Sequence, residues 1–338
     1  MIIIKSLDVN LKKKIAGFDL DFTLIKPKSG KKFPINKDDW MWLYPKIKDK
    51  LINISKEYQI VIFSNQLGIS KNKTSKIDIE EKCDKIQKDI NIPLIFLIAD
   101  KDDKFRKPRV GFWKYLIKKG IIENKSFYVG DAAGRSTDFN DTDRKFAFNI
   151  KIPFYTPEDY FLDKKELPLS YRKYQLNCNH YQKYLMLPNN DKILIIISGY
   201  PASGKSYLSK KIVKNHNFHY VSKENDKQNL KKNLTELLAD NKKIIVEGLF
   251  YSNQQRDIIL KLADKHNYSK ALIKVTTDED LSYHLNYYRY LKGEKELISK
   301  IVYNTYKKYF ESENKSDYDF IINYHPNISK KINKYFLY

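Results

Sequence analysis

Short apolar runs recur along the chain, separated by longer stretches in which polar and charged residues interrupt the hydrophobic ones. One set comprises Lys14–Asp19, Ile60–Ser64, Leu94–Ala99 and Phe127–Gly130; a second comprises Ile193–Ser198, Lys243–Glu247 and Ala271–Val275. A run that is apolar at successive positions suits a strand covered on both faces, and the helix-length stretches between runs suit crossover helices. The expected fold class is α/β, with two domains that are each a mainly parallel sheet with helices on both faces. From about Thr156 to Lys192 the sequence holds scattered prolines, Asn-rich pieces and tyrosines, and Leu187 to Asp191 (LPNND) reads as a turn before the next strand. The division expected is a first domain over 1–162, a linker over 163–191 and a second domain over 192–338. A chain of 338 residues has room for two such cores without disulfides or structural metals.

Composition narrows the setting. The two cysteines, Cys83 and Cys178, are far apart and in no metal-ligand spacing, which argues against a disulfide framework and fits a reducing, intracellular compartment. The N-terminal MIIIKSLDVNLKKK is too short an apolar run for a signal-peptide core, and no later run approaches a membrane span. A soluble monomer without membrane association is therefore expected, with nucleus and cytoplasm both open. The net charge of +22 raises the local concentration of polyanions, so nucleic acid is the natural partner. The abundance of Lys, Asn, Ile and Tyr, all encoded by A/T-rich codons, supplies lysines just as well; charge supports a conclusion here and cannot found one.

In open parallel sheets ligands bind beyond the carboxyl ends of strands, so the informative residues lie where an apolar run stops. The first run ends in Asp19 and Asp21, followed by Phe22 and Thr23. One carboxylate of such a pair can attack phosphorus to give an aspartyl-phosphate while its neighbour acts as general acid and then base. Two acids so close repel, so Mg²⁺ and nearby cations are needed to keep the nucleophile ionised. The second run ends in Ser64, a hydroxyl that can hydrogen-bond a phosphoryl oxygen or simply cap a turn. Lys107, before Pro108, opens a predicted helix and can neutralise phosphate charge. The fourth run leads into Asp131 and small residues; Asp131 would complete a metal site with Asp19 and Asp21, braced by Asp138 or Asp143.

The second half opens differently. Its first run leads into Gly199, Tyr200, Pro201, Ala202, Ser203, Gly204, Lys205 and Ser206, a full G-x-x-x-x-G-K-[ST] pattern between a strand and a helix. Glycines there let backbone N–H groups wrap a triphosphate, with Lys205 reaching the outer phosphates and Ser206 binding Mg²⁺. The positive N-terminus of the following helix faces the anion. ATP and Mg²⁺ are the cofactors this implies.

These residues resemble the haloacid-dehalogenase phosphatases and, more closely, the polynucleotide kinase 3′-phosphatase family. The stretches GFDLD (17–21), SGK (29–31), KFP (32–34), LYP (43–45), RKP (106–108), GDAAGR (130–135) and TPE (156–158) follow that family in order across 14–162. The resemblance implies a haloacid-dehalogenase-like phosphatase followed by a P-loop kinase. Its roles fall on Asp19 as nucleophile, Asp21 as acid/base, Ser64 and Lys107 as phosphate contacts and Asp131 as metal ligand. One position departs: Phe22 stands where family members usually carry glycine.

Over 193–326 the kinase resemblance is patchier. Glu224 aligns best with the family's base, with Asp226 as the alternative, and the strand ending in Glu247 departs from the family's Ile-Asp-Asn. Arg256 would grip substrate phosphate and Arg289 the ATP phosphates, while Tyr306 to Glu311 resembles the family's C-terminal kinase helix. The pair of activities converts a 3′-phosphate/5′-hydroxyl break into ends that a ligase or polymerase, the natural downstream partners, can use. DNA or RNA ends are thus the expected substrate, and Trp40 or Trp42 is either a base-stacking surface or core. Two alternatives stay open: a small-molecule phosphatase/kinase, and a 3′-phosphatase with a degenerate kinase domain.

Overall fold

A computed structural model describes residues 1–5, 9, 14–164, 169–171, 185–226, 229–329 and 331–338. The chain forms two compact units, Met1–Leu176 with Lys334–Tyr338, and Asn177–Asn333. The expected second domain over 192–338 therefore gives up its last residues to the first unit, where Phe336 is buried and hydrogen-bonds Asn149. Cys178 and most of the expected linker lie outside the described residues. The described part is not free chain. Ser170 donates to the Gly134 carbonyl in the first unit, and Leu185 and Leu187 pack on the second unit's core.

The first unit contains strands β1 (Ile2–Lys5), β2 (Lys14–Phe18), β3 (Ile25–Lys26), β4 (Met41–Trp42), β5 (Tyr58–Asn65), β6 (Leu94–Ala99), β7 (Ile122–Val129) and β8 (Phe154–Tyr155). Its helices are α1 (Ile47–Ser55), α2 (Lys76–Ile90), α3 (Gly111–Lys118), α4 (Thr142–Ile150) and α5 (Pro157–Leu162). The main sheet runs β1-β6-β5-β2-β7-β8, all parallel but for β1, while β3 and β4 form a separate antiparallel pair. Successive strand residues serve opposite faces. Ile60 and Ile62 join Phe18 and Phe96 in one core with Ile79 and Ile86 of α2, whereas Val61 and Phe63 join Ile95 and Leu97 in another with Trp113 of α3 and Phe146 of α4. That double burial explains the uninterrupted apolar runs.

The second unit contains β9 (Ile193–Ser198), β10 (His219–Ser222), β11 (Ile244–Glu247), β12 (Ser269–Val275) and β13 (Phe320–Tyr324). Its helices are α6 (Lys205–His216), α7 (Leu230–Ala239), α8 (Asn253–Lys265), α9 (Glu279–Leu291) and α10 (Lys300–Lys308). The sheet runs β10-β11-β9-β12-β13 and is parallel throughout. In each unit the first central strand, β2 or β9, has its next neighbours on opposite sides, which opens a crevice at its carboxyl end. Asp19 and Gly199 follow those two ends. Among the described residues no helix is long and apolar enough to cross a membrane.

Candidate active sites

In the first unit, β2, β5 and β7 deliver Asp19, Ser64 and Asp131 to one edge of the sheet. Lys107 arrives from the segment before α3, its backbone clamped by the Asn65 side chain, which accepts from Lys107 N at 2.9 Å and donates to its carbonyl at 3.2 Å. The Lys107 ammonium donates to Asp19, to Asp143 Oδ1 at 2.8 Å and to the Tyr128 hydroxyl at 2.9 Å. Carboxylate oxygens of Asp19, Asp131 and Asp143 all lie within 4.8 Å of one another. Burial, and then repulsion from Asp143 and Asp131, push the Asp19 carboxyl well above the usual range against the pull of Lys107. Burial and Asp143 likewise push Asp131 up to about 7. Three clustered acids facing one ammonium are what a hard divalent cation compensates, so the residues fit Mg²⁺.

The structure sorts the expected ligands. Asp21 is not in the acid cluster: its half-exposed side chain accepts from Gln66 Nε2 at 2.7 Å and pairs with the buried Lys82 at 3.5 Å. Asp21, expected both as a metal ligand and as the acid/base, thus faces Gln66 and, on α2, Lys82. Within the cluster, Asp143 accepts from Lys107, Tyr128 and Ala132 N, and Asp138 accepts from Ala133 N, Arg135 N and Arg135 Nε. Both brace, one the lysine and the other the loop after Asp131. Ser64 Oγ is buried and accepts from the same Gln66 amide at 2.9 Å. Sequence reasoning gave no role to Gln66, Lys82 or Tyr128; Lys82 carried a signal, since a lysine on the apolar face of a helix is seldom buried without a partner.

In the second unit the phosphate loop has the backbone its glycines predict. Gly199 (φ +153°) could not carry a side chain, because a Cβ would lie 2.8 Å from the Val275 carbonyl; Gly204 adopts φ +102° at the start of α6. Lys205 is buried, donates to the carbonyls of Gly199 (2.9 Å) and Tyr200 (2.6 Å), and is pushed down to about 8 by desolvation. The buried Ser203 hydroxyl has no hydrogen-bond partner among the described residues, the mark of a cradle shaped for an anion's oxygens. Tyr303 of α10 donates to the Pro201 carbonyl at 3.1 Å, and the Tyr200 and Tyr306 rings lie 4.4 Å apart, so α10 holds the loop from above. Ser206 Oγ donates to Glu247 Oε1 at 2.6 Å, and Tyr220 donates to the other oxygen. Glu247 is a site residue noticed in the sequence only as a departure, though an acid ending the strand beside the loop strand was the signal.

The alternatives for the base separate on geometry. Asp226 is engaged locally, accepting from Ser222 N at 3.0 Å and Asn233 Nδ2 at 3.4 Å. Glu224 is exposed and acts electrostatically on both Lys205 and Arg289. Arg289 is half-buried with its Nε lacking a partner among the described residues, and its charge acts on Lys205 of the loop. Arg256, expected to grip substrate phosphate, lines a cavity with Gly199 and Tyr200, and its Nε has no hydrogen-bond partner among the described residues. Its guanidinium is buried and spans the Phe250 carbonyl (2.6 Å), Asn253 Oδ1 (2.5 Å) and the Glu311 carbonyl (2.8 Å), tying α8 to the segment after α10. Trp40 and Trp42 pack edge to face against each other and, partly buried, against the first unit's core, and Trp42 Nε1 donates to Asp89.

Comparison with known proteins bears directly on these two sites. Residues 14–161 match the family model described as polynucleotide kinase 3 phosphatase. A bifunctional polynucleotide phosphatase/kinase of Schizosaccharomyces pombe is 31% identical over 310 residues, covering 88% of this chain and 76% of the relative. The chain belongs to the bifunctional polynucleotide phosphatase/kinase family. A relative from Acanthamoeba polyphaga mimivirus, provisionally given the same name, is 31% identical over 348 residues, covering 88% of this chain and 80% of its own. A polynucleotide 3′-phosphatase of Arabidopsis thaliana is 34% identical over 180 residues, covering 47% of this chain and 26% of the relative.

The backbone at position 22 is one that a glycine, expected there from the resemblance, would adopt without strain. Phe22 adopts φ +61° and is 42% exposed, with its N–H donating to the Ile25 carbonyl at 2.7 Å. That left-handed backbone costs a non-glycine residue about 1–2 kcal/mol. Phe22→Gly is expected to be more stable than Phe22→Ala by about 1 kcal/mol, because only the former relieves the strain. Urea denaturation of the two variants checks this, and equal midpoints would remove the strain argument.

Proposed function

We propose that this enzyme repairs nucleic-acid ends, removing 3′-phosphates at the first unit's site and phosphorylating 5′-hydroxyl ends from ATP at the second. The observation that carries this reading is the run of similarity to a bifunctional relative through both units in one order, with an acid–lysine cluster in the first and a phosphate loop in the second.

In the first site Asp19 attacks phosphorus, the bond to the 3′ oxygen breaks, and that oxygen takes a proton from Asp21. The resulting aspartyl-phosphate is then opened by water whose proton passes to Asp21, releasing phosphate and restoring Asp19. Lys107, fixed by Asp143 and Tyr128, offsets charge on the nucleophile, and Ser64 donates to a phosphoryl oxygen. Mg²⁺ held by Asp19 and Asp131 would add positive charge against the phosphoryl oxygens.

In the second site Glu224 takes the proton of the 5′ hydroxyl as its oxygen attacks the γ-phosphorus of ATP, and ADP departs. Lys205 and Arg289 offset the charge on the transferring group, and Ser206, held by Glu247, would receive the ion that accompanies ATP. Glu224→Gln is expected to lower 5′ phosphorylation by roughly 10²–10⁴-fold. Asp226→Asn should cost much less, since its carboxylate is engaged in a turn. Steady-state rates of the two variants decide between them; the reverse ranking would return the base to Asp226.

An end-labelled nicked duplex carrying a 3′-phosphate and a 5′-hydroxyl, incubated with Mg²⁺ and with or without ATP, tests the whole reading. Loss of the 3′-phosphate in both reactions and gain of a 5′-phosphate only with ATP is expected, with both rates falling as salt rises. Turnover that ignores salt, with small phosphate esters preferred over oligonucleotides, would favour the small-molecule alternative instead.

A further inference from the structure

The last residues of the sequence are held by the same helix and loop that present the phosphatase lysine. Asn149 on α4 donates from Nδ2 to both the Pro108 carbonyl and the Phe336 carbonyl at 2.8 Å, and its Oδ1 accepts from Phe336 N at 2.8 Å. A single amide thus joins the residue after Lys107 to the tail. Arg109, two positions beyond Lys107, donates from Nε to the Leu337 carbonyl at 2.8 Å, and Lys145 donates to the Tyr338 carbonyl at 3.1 Å. All three recognising side chains are buried, at 5%, 5% and 1% exposure for Asn149, Arg109 and Lys145. Phe336 is 3% exposed and packs against the rings of Phe148 and Tyr171 at 5.4 and 5.0 Å.

The chemistry lies a short way from this grip. Asp143, which pins the Lys107 ammonium, is in the first turn of α4, the helix that carries Lys145 and Asn149. Asn65 clamps the Lys107 backbone from one side, and Asn149 and Arg109 secure the residues that follow it. Buried polar groups hold geometry only when their partners are present, and withdrawing the tail would remove one from each of the three.

We propose that Phe336, Leu337 and Tyr338 form a clip that positions Lys107 and Asp143 for phosphoryl transfer, so that 3′-phosphate removal depends on a segment encoded after the kinase. The clip rests on the phosphatase reading of the first site for the reaction it assists. Its residues touch no reacting atom; they act through the Lys107 loop and α4.

A chain ending at Tyr335 tests it, with wild-type turnover of a 3′-phosphorylated oligonucleotide reporting on the phosphatase reading itself. Relative to wild type, kcat for 3′-phosphate removal is expected to fall at least about tenfold, toward the roughly hundredfold that a 1 Å misplacement costs, with KM changed less than about threefold. The 5′-kinase rate of the same preparation should stay near wild type. Millimolar synthetic peptide corresponding to Lys331–Tyr338 should restore phosphatase kcat, since it supplies in trans what the tether supplies in cis. Full-length Asn149→Leu, in which the tail is present but unread, should reproduce the kcat loss and resist the peptide. An unchanged kcat in the truncated chain, a parallel loss of kinase activity, or failure of the peptide to restore kcat would each overturn the clip.

Discussion

Replacing Asp19 by asparagine should reduce removal of 3′-phosphates by at least about 10⁴-fold, the scale on which loss of a catalytic nucleophile acts, while leaving 5′ phosphorylation within about twofold. The amide is nearly isosteric but cannot form the aspartyl-phosphate. It also takes one negative charge out of a cluster in which three carboxylates crowd within 4.8 Å. Burial and like charges already raise the Asp19 and Asp131 carboxyls, so the variant should fold at least as well as wild type. Activity and stability would then move in opposite directions, which a thermal melt alongside the phosphate-release assay reveals. Loss of both enzymatic activities in a folded Asp19→Asn protein would end the two-site account.

The converse substitution, Lys205→Ala, should reduce 5′ phosphorylation by about 10²–10³-fold or more and spare 3′-phosphate removal. Lys205 is buried, bonded to two carbonyls of its own loop and pushed down to about 8 by desolvation. Folding of the loop thus holds the ammonium out of water, and ATP phosphates would repay part of that cost. Binding of a nucleotide analogue, followed by fluorescence or calorimetry, should weaken in the variant together with kcat. Unchanged nucleotide affinity with lost turnover would confine the lysine's role to the transferring phosphoryl group.

Much of this was legible before any coordinates. The seven apolar runs located the strands that carry chemistry, because strands buried on both faces announce themselves by continuous hydrophobicity. The strands left unseen are the short or edge ones: β1 and β8 bound the first sheet, β10 and β13 bound the second, and β3 and β4 have two residues each. Edges are covered on fewer sides, so His219 and Phe320 are exposed and the pattern fades. Residues that act through backbone geometry, such as Gly199 and Gly204, were readable from spacing. Residues whose meaning depends on what lies opposite were not. Arg256 was expected to bind substrate phosphate, and only the structure shows that its guanidinium also ties α8 to the carbonyls of Phe250 and Glu311. Asp21 and Asp131 read alike as ligands of one ion, and the engagement of the Asp21 carboxylate by Gln66 and Lys82 was invisible in the sequence.

The course of the chain has a consequence for how the protein comes into being. Residues of the first unit flank the second on both sides in sequence, so the second is an insertion within the first rather than its successor. On the ribosome the first sheet can form early, yet its contacts with Phe336 through Tyr338 must wait for translation of everything between. A messenger cut short anywhere in the second half would then yield a first unit lacking these final contacts.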